Sequence, residues 1–169
     1  MTSLAEQYAD EVQAILAKYP PEQKRSAVMP LLALVQRRDG FVSKAALQEV
    51  AQMCGITSTE TASIVGFYTL YHDEKKGTYR IQVCTDLCCA LRGADEFLHK
   101  LCEALGIPVG GTTPDGKITV EAVMCLAACD KAPMFQVQAL GSVHHDGLEY
   151  HENQTVESAL RLIEELRQK

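Results

Sequence analysis

The sequence predicts an α/β fold: a small bundle of helices over residues 1–76, then a layer over residues 77–169 in which helices cover a small sheet. Three observations carry that prediction. Apolar residues recur at helical spacing to about residue 75, and after Gly77 the period changes to two. Two alternating runs, 79–84 and 117–124, flank a helical stretch, so the unit reads strand–helix–strand. Each run ends at a pair of cysteines, Cys84-x4-Cys89 and Cys125-x3-Cys129.

Leu4, Tyr8, Val12, Ile15, Leu16 and Tyr19 lie on one face of a first helix, which Pro20-Pro21 stops. Residues 27–35 are apolar on nearly all sides, as in a helix buried among others. Pro30 starts or kinks it and Asp39-Gly40 ends it. Ser43 can cap a third helix that runs to about Met53. Thr57 and Glu60 have capping-box spacing for a fourth, carrying Ile64, Val65, Phe67, Tyr68 and Tyr71. Four short helices with brief connections suit a small bundle.

The second unit reads as strand 79–84, helix about 93–105, strand 117–124, strand 134–139, a hairpin and a final helix. Alternation in Tyr79–Val83, Ile118–Ala122 and Phe135–Ala139 predicts half-buried strands. Asp146-Gly147, between Val143 and Tyr150, is a hairpin turn signal. Val156, Ala159, Leu160, Ile163 and Leu166 give the last helix its apolar stripe. This order of elements is that of a thioredoxin-like layer.

Composition narrows the setting. A chain of 169 residues, 47% of them hydrophobic, can bury one compact domain with a helical extension. A net charge of −6 gives no electrostatic case for nucleic acid. No apolar run approaches the roughly 18 residues of a membrane span, so direct membrane insertion is not expected. The segment Met1–Glu6 lacks a basic region before an apolar core, so no secretory signal is expected and a reducing, intracellular setting follows. Seven cysteines there favour metal binding over a disulfide framework, which would also leave one thiol unpaired.

A right-handed crossover makes the first two strands parallel and brings both cysteine pairs to one sheet edge. Structural zinc sites use shorter C-x2-C knuckles. Here the loops are longer, and about 35 residues separate the pairs. That spacing suits a 2Fe–2S cluster, each iron taking two thiolates. A Rieske-type site needs histidines that neither loop contains, and a thioredoxin-type redox centre needs a C-x-x-C that is absent. Gly93 opens the following helix, so its first amides are expected to point back at the first pair. Ala90, Leu91, Leu126, Ala127, Ala128, Ala132 and Met134 supply a small apolar rim, and Pro133 keeps the chain extended beyond the second pair.

The runs Val83–Gly93 and Cys125–Met134 resemble the signatures of the thioredoxin-like 2Fe–2S subunit (NuoE) of NADH:quinone oxidoreductase, respiratory complex I. Gly66-Phe67-Tyr68 with Tyr71 resembles that family's motif in the N-terminal helices. The resemblance covers about residue 8 to the end. It implies a thioredoxin-like 2Fe–2S ferredoxin domain over 77–169 with Cys84, Cys89, Cys125 and Cys129 as ligands. It departs at Cys88, where members often have Pro, and at Ala127, where they often have Gly. It implies partners too: a larger subunit (NuoF-like) that binds FMN and NADH, and other peripheral-arm subunits, in the cytoplasm at the inner face of the membrane. This chain has no G-x-G-x-x-G fingerprint, so hydride chemistry belongs to another subunit and this one supplies one-electron transfer. The equivalent subunit of an NAD-linked hydrogenase or formate dehydrogenase is the alternative. A zinc-stabilised adaptor and a thioredoxin-like disulfide enzyme are the readings from other classes.

Other residues have plainer roles. Cys54 and Cys102 lie among apolar neighbours and read as packed thiols. His144, His145 and His151 flank the hairpin and read as solvated. Phe67, Tyr68 and Tyr71 suit a core or a partner face alike. Of the adjacent thiols, Cys89 rather than Cys88 keeps the register of the first motif.

Overall fold

A computed structural model of the chain describes residues 3–143 and 147–169. By internal contacts it divides into two units, residues 3–75 with Gly141–Val143, and residues 76–140 with 147–169.

The first unit is helical. Its elements are α1 (Leu4–Gln7), α2 (Ala9–Leu16), a 3-10 stretch (Pro21–Ala27), α3 (Val28–Asp39), α4 (Lys44–Cys54) and α5 (Ser58–Phe67). The single first helix expected from the apolar stripe is two, broken at Tyr8, whose φ of −128° and ψ of 40° are not helical. Local and distant bonds hold that break. Ser3 and Glu6 close a capping box on α1, and the Leu4 amide donates to the Glu49 carboxylate on α4. Pro30 produces no kink, because it is the third residue of α3, where an N–H has no partner four residues back. Ser43 caps α4, and Thr57 with Glu60 forms the capping box on α5, as the spacing predicts.

The fourth helix is shorter than expected. It ends at Phe67, with Tyr68 as its cap and Tyr71 beyond it. That end divides the aromatic motif. Tyr71 is 8% exposed and its hydroxyl donates to the Met29 carbonyl at 2.9 Å. Phe67 stands 77% exposed, edge-on to the half-exposed Tyr68. Gln36 is fully buried and completely bonded: its amide donates to the Leu70 and Ser142 carbonyls and accepts from the His72 N–H. Cys54 is buried here, as expected of a packed thiol.

Burial pushes the Tyr71 phenol up to about 12. A group held neutral in the fold contributes stability below its unfolded value, near 10, and loses it as pH rises towards 12. The unfolding free energy should therefore fall by about 2–3 kcal/mol between pH 10 and 12 beyond other alkaline effects. Chemical denaturation of Tyr71→Phe checks this: the variant should lose that part of the slope, and an unchanged slope would show the phenol is not buried.

The second unit contains β1 (Tyr79–Cys84), α6 (Leu87–Ala90), α7 (Ala94–Leu105), β2 (Ile118–Val123), β3 (Phe135–Ala139), β4 (Leu148–His151) and α8 (Val156–Gln168). The strand order is β2-β1-β3-β4. β1 and β2 are parallel, as expected of a strand–helix–strand unit, and the other pairs are antiparallel. Asp146, part of the expected hairpin turn, lies outside the described residues, as do His144 and His145. Gly77 enters β1 where a Cβ would sit 2.8 Å from the Lys117 carbonyl, so only glycine fits.

One sheet face carries Ile81, Val83, Ile118, Val120, Phe135 and Val137, packed on Phe97, Leu98 and Leu101 of α7 and Ala159, Ile163 and Leu166 of α8. Cys102 belongs to this core. Alternation predicted a solvated opposite face, and the structure differs: Arg80, Gln82, Thr119, Gln136 and Gln138 are all buried. Several of these polar groups satisfy one another. Gln136 donates to Gln82 at 2.5 Å, Gln82 to Glu121 at 3.2 Å, and Arg80 to Glu121 at 3.5 Å. His151 also departs from expectation. Its ring stacks on Phe135 at 5.2 Å, so it packs rather than being solvated.

Candidate metal centre

Both cysteine pairs sit at the carboxyl ends of the parallel strands. Cys84 is the last residue of β1 and pairs in register with Val123, the last residue of β2. The chain then leaves each strand at the same edge. The Thr85 amide and hydroxyl both donate to the Val123 carbonyl, and the Cys84 amide donates to the Met134 carbonyl. Strand, loop and return strand are thereby tied at three points around the site.

The first loop does not run extended from Cys84 to Cys89. Asp86 caps a single helical turn, α6, that carries Cys88 and Cys89. Successive residues of a helix point about 100° apart. Accordingly Cys89 is 1% exposed and faces Cys84, while Cys88 is exposed. Gly93 follows in the left-handed conformation, φ 88°, and α7 starts from it. Its first residue, Ala94, packs with Cys84, Cys89, Ala132 and Met134 in a small buried cluster, against which Leu126 and Ala128 lie. Most of the expected rim is therefore in place. Leu91, however, is 79% exposed, and Ala127 is exposed as well.

The second loop runs over the surface. Cys125 is exposed and Cys129, which begins a 3-10 turn, is partly buried. Ala127 between them has a φ of 60°, and its N–H donates to Cys125 Sγ at 3.3 Å. The sequence reading placed amide donors to sulfur at the start of α7. Among the described residues the amide that reaches a cysteine sulfur is that of Ala127. The peptide before Pro133 is cis. Backbone bonds from Asn153 to the Lys131 carbonyl and from Gln154 to the Pro133 carbonyl hold the far side of this loop. The Arg92 guanidinium joins the loops by donating to the Ala132 carbonyl at 3.1 Å.

The thiols act on one another across the two loops. Burial first, then the Cys84 thiol, and then Cys129 and Cys125 push Cys89 up to about 12. Cys129 is raised to about 11, chiefly by its hydrogen bond to Cys125 and that thiol's charge, then by burial and by Cys88. Such crowding disfavours bare thiolates at Cys89 and Cys129 and suits a bound cationic centre that would take their charge. Among the described residues no group of three or more His, Cys, Asp or Glu side chains is placed to hold one metal ion. A tetrahedral zinc cage needs four donors about one point. A two-iron cluster takes two thiolates on each iron, and the donor set offers one pair from each loop.

Comparison with known proteins agrees with this geometry. Residues 12–167 match the model of the thioredoxin-like [2Fe-2S] ferredoxin family. The chain is 43% identical over 128 residues to NADH-quinone oxidoreductase subunit 2 of Thermus thermophilus, covering 76% of this chain and 71% of that protein. It is 38% identical over 158 residues to the mitochondrial NADH dehydrogenase [ubiquinone] flavoprotein 2 of Dictyostelium discoideum, covering 93% of this chain and 60% of that one. The chain thus spans about three fifths of the length of this second relative. Among solved structures, an NAD+-reducing [NiFe]-hydrogenase in the H2-reduced state aligns with a TM-score of 0.62 at 20% identity, over 82% of this chain and 22% of that chain. At that identity the likeness is one of fold.

Proposed function

The chain belongs to the thioredoxin-like [2Fe-2S] ferredoxin family, and from that premise we propose that it is the one-electron carrier of an NADH-oxidising complex, the small subunit of the flavoprotein module of NADH:quinone oxidoreductase. Cys84, Cys89, Cys125 and Cys129 hold its 2Fe–2S cluster. The observation that carries this reading is the meeting of two thiol pairs, from the ends of two parallel strands, on one sheet edge. When bound, the cluster takes up and returns one electron without needing a proton. The chain's own residues do the rest. Ala94, Ala132 and Met134 keep water from Cys84 and Cys89, and Arg92 fastens one loop to the other.

The hydride-accepting flavin belongs to a partner, a larger NuoF-like subunit that binds FMN and NADH. Leu87, Leu91 and Met124 stand 69–79% exposed in or beside the cysteine loops and suit a protein face brought against the site. Residues 77–169 form the cluster domain, and residues 1–76 are a helical extension whose exposed Phe67 suits the same complex. Among the described residues no helix is long and apolar enough to cross a membrane, so attachment at the inner face of the membrane runs through the other subunits. The hydrogenase alternative is the weaker one. Its support is a likeness of fold at 20% identity, against 38–43% identity to the quinone-reductase subunits.

Purified anaerobically, the chain should contain two irons and two acid-labile sulfides. It should become paramagnetic only on reduction, and when tagged it should bring down an FMN-containing subunit. One zinc without sulfide would end the cluster reading. A cluster-bearing chain that brings down a hydrogenase instead would redirect the assignment of the complex.

A further inference from the structure

We propose that, while the site is empty, Cys88 and Cys129 close a reversible disulfide across the two loops, so that an oxidant stops cluster loading until a dithiol reopens it; this rests on Cys129 being a ligand, as assigned above. All seven thiols of the chain are free, and the ligand set leaves Cys88 unused. It is not isolated. The turn of α6 directs Cys89 to Cys84 and leaves Cys88 exposed on another side, within hydrogen-bonding reach of the Cys129 thiol. The two thiols come from different loops, about 40 residues apart in the chain. Those loops are already tied together. Arg92 donates to the Ala132 carbonyl at 3.1 Å, and the Thr85 amide and hydroxyl both donate to the Val123 carbonyl.

Access and geometry select this pair among the thiols at the sheet edge. Cys84 and Cys89 are each 1% exposed, which shields them from a bulky, hydrophilic oxidant such as glutathione disulfide. Cys125 is exposed and also reaches Cys129, but its sulfur accepts the Ala127 N–H at 3.3 Å. To bond within its own loop it would have to leave that donor. Cys88 gives up no amide bond of this kind. In the first step the Cys88 thiolate attacks glutathione disulfide, forming a mixed disulfide and releasing one glutathione thiolate. The Cys129 thiolate then attacks the Cys88 sulfur and releases the second. Two cysteine thiols are oxidised, one glutathione disulfide is reduced to two thiols, and the two cysteine protons pass to them. A dithiol runs the exchange backwards. Iron needs the thiolate, so the disulfide withdraws one ligand from the empty site. In the loaded site Cys129 is engaged on iron, and Cys88 has no partner to close on.

The full chain and its Cys88→Ser variant, both purified anaerobically from iron-limited cells, test this. Each is equilibrated with glutathione disulfide, quenched in acid, alkylated and mapped by peptide mass spectrometry. The wild type should give linked Cys88 and Cys129 peptides as its main intramolecular disulfide, and Cys88→Ser should give no intramolecular disulfide. A wild-type map dominated by Cys125–Cys129 or Cys84–Cys89, or a link that persists in Cys88→Ser, overturns the proposal. Loading supplies the second readout. Offered a 2Fe–2S cluster on a scaffold protein in thiol-free buffer, the oxidised wild type should take up at least about tenfold less iron than the same chain reduced with dithiothreitol and desalted, since loss even of a residue that supports a ligand costs that much. Equal uptake by the two refutes the lock. A reduced chain that takes up no cluster would overturn the ligand assignment beneath the proposal, and the peptide map distinguishes that failure from failure of the disulfide itself.

Discussion

Cys89→Ala should lose most of its iron, whereas Cys88→Ala should keep iron, sulfide and an almost unchanged visible spectrum. The two side chains are neighbours in sequence but lie on different sides of α6. Cys89 is buried with Cys84 in the small apolar cluster, and Cys88 is exposed. Losing a ligand should cost more than the 10–100-fold in affinity that follows the loss of a residue supporting one. Cys88 does come within reach of Cys129, so its removal could shift the spectrum slightly without releasing metal. Iron and sulfide per chain, measured on both alanine variants purified anaerobically, settle the matter. Reversed outcomes would place the register of this loop one residue away and move the first ligand loop from four intervening residues to three.

Strands, helices and the convergence of the cysteines were legible because each rests on a short-range pattern with a physical cause. Period-two alternation marked β1, β2 and β3, and the thiol pairs were visible where that alternation stopped. Ser43 and Thr57 announced α4 and α5 through hydrogen bonds made within a few residues of themselves. The failures have the opposite character. The break at Tyr8 leaves the apolar stripe intact, and the bond from Leu4 to Glu49 spans 45 residues. Nothing local to Cys88 or Cys89 announced a helical turn, although Asp86, a good capping residue, stood one position before it. The polar side of the sheet was read as wet because Gln and Arg usually are. Bonds between side chains on adjacent strands, such as Gln136 to Gln82, let it be dry.

Ala127 marks the limit of reading from composition. Its departure from a common glycine looks minor in the sequence. In the structure it occupies the left-handed conformation in which glycine costs least, and its amide lies on a cysteine sulfur. A residue named for its small apolar side chain thus acts through its backbone, which sequence patterns do not display. The aromatic motif divides in a similar way. One helix end decides that Tyr71 is core and Phe67 is surface.

Phe135→Ala should destabilise the second unit by about 3–5 kcal/mol, the range for removing a buried aromatic ring. Phe135 is fully buried on β3, the strand that pairs with both β1 and β4. Its ring stacks against Phe97 of α7 at 6.2 Å and against His151 of β4 at 5.2 Å. Its neighbour in the chain, Met134, is fully buried beside Cys84 and Cys89. A cavity at Phe135 therefore opens the helix–sheet core next to the strand end that leads to the metal centre. Domains are stable by only about 5–15 kcal/mol, so a large part of that margin would go. Urea unfolding followed by far-ultraviolet dichroism gives the magnitude, and the rate of bleaching by a chelator shows whether the centre loosens as well. Phe135→Leu, which refills much of the space, should recover more than half of the loss. The pH profile supplies a second check. Burial holds the His151 imidazole below its usual range, so wild-type stability is lost as pH falls below about 6.5. With the covering ring removed, that acid dependence should weaken. A variant that lost less than about 1 kcal/mol, or kept the full acid dependence, would show that this ring is not what joins the sheet to its metal edge.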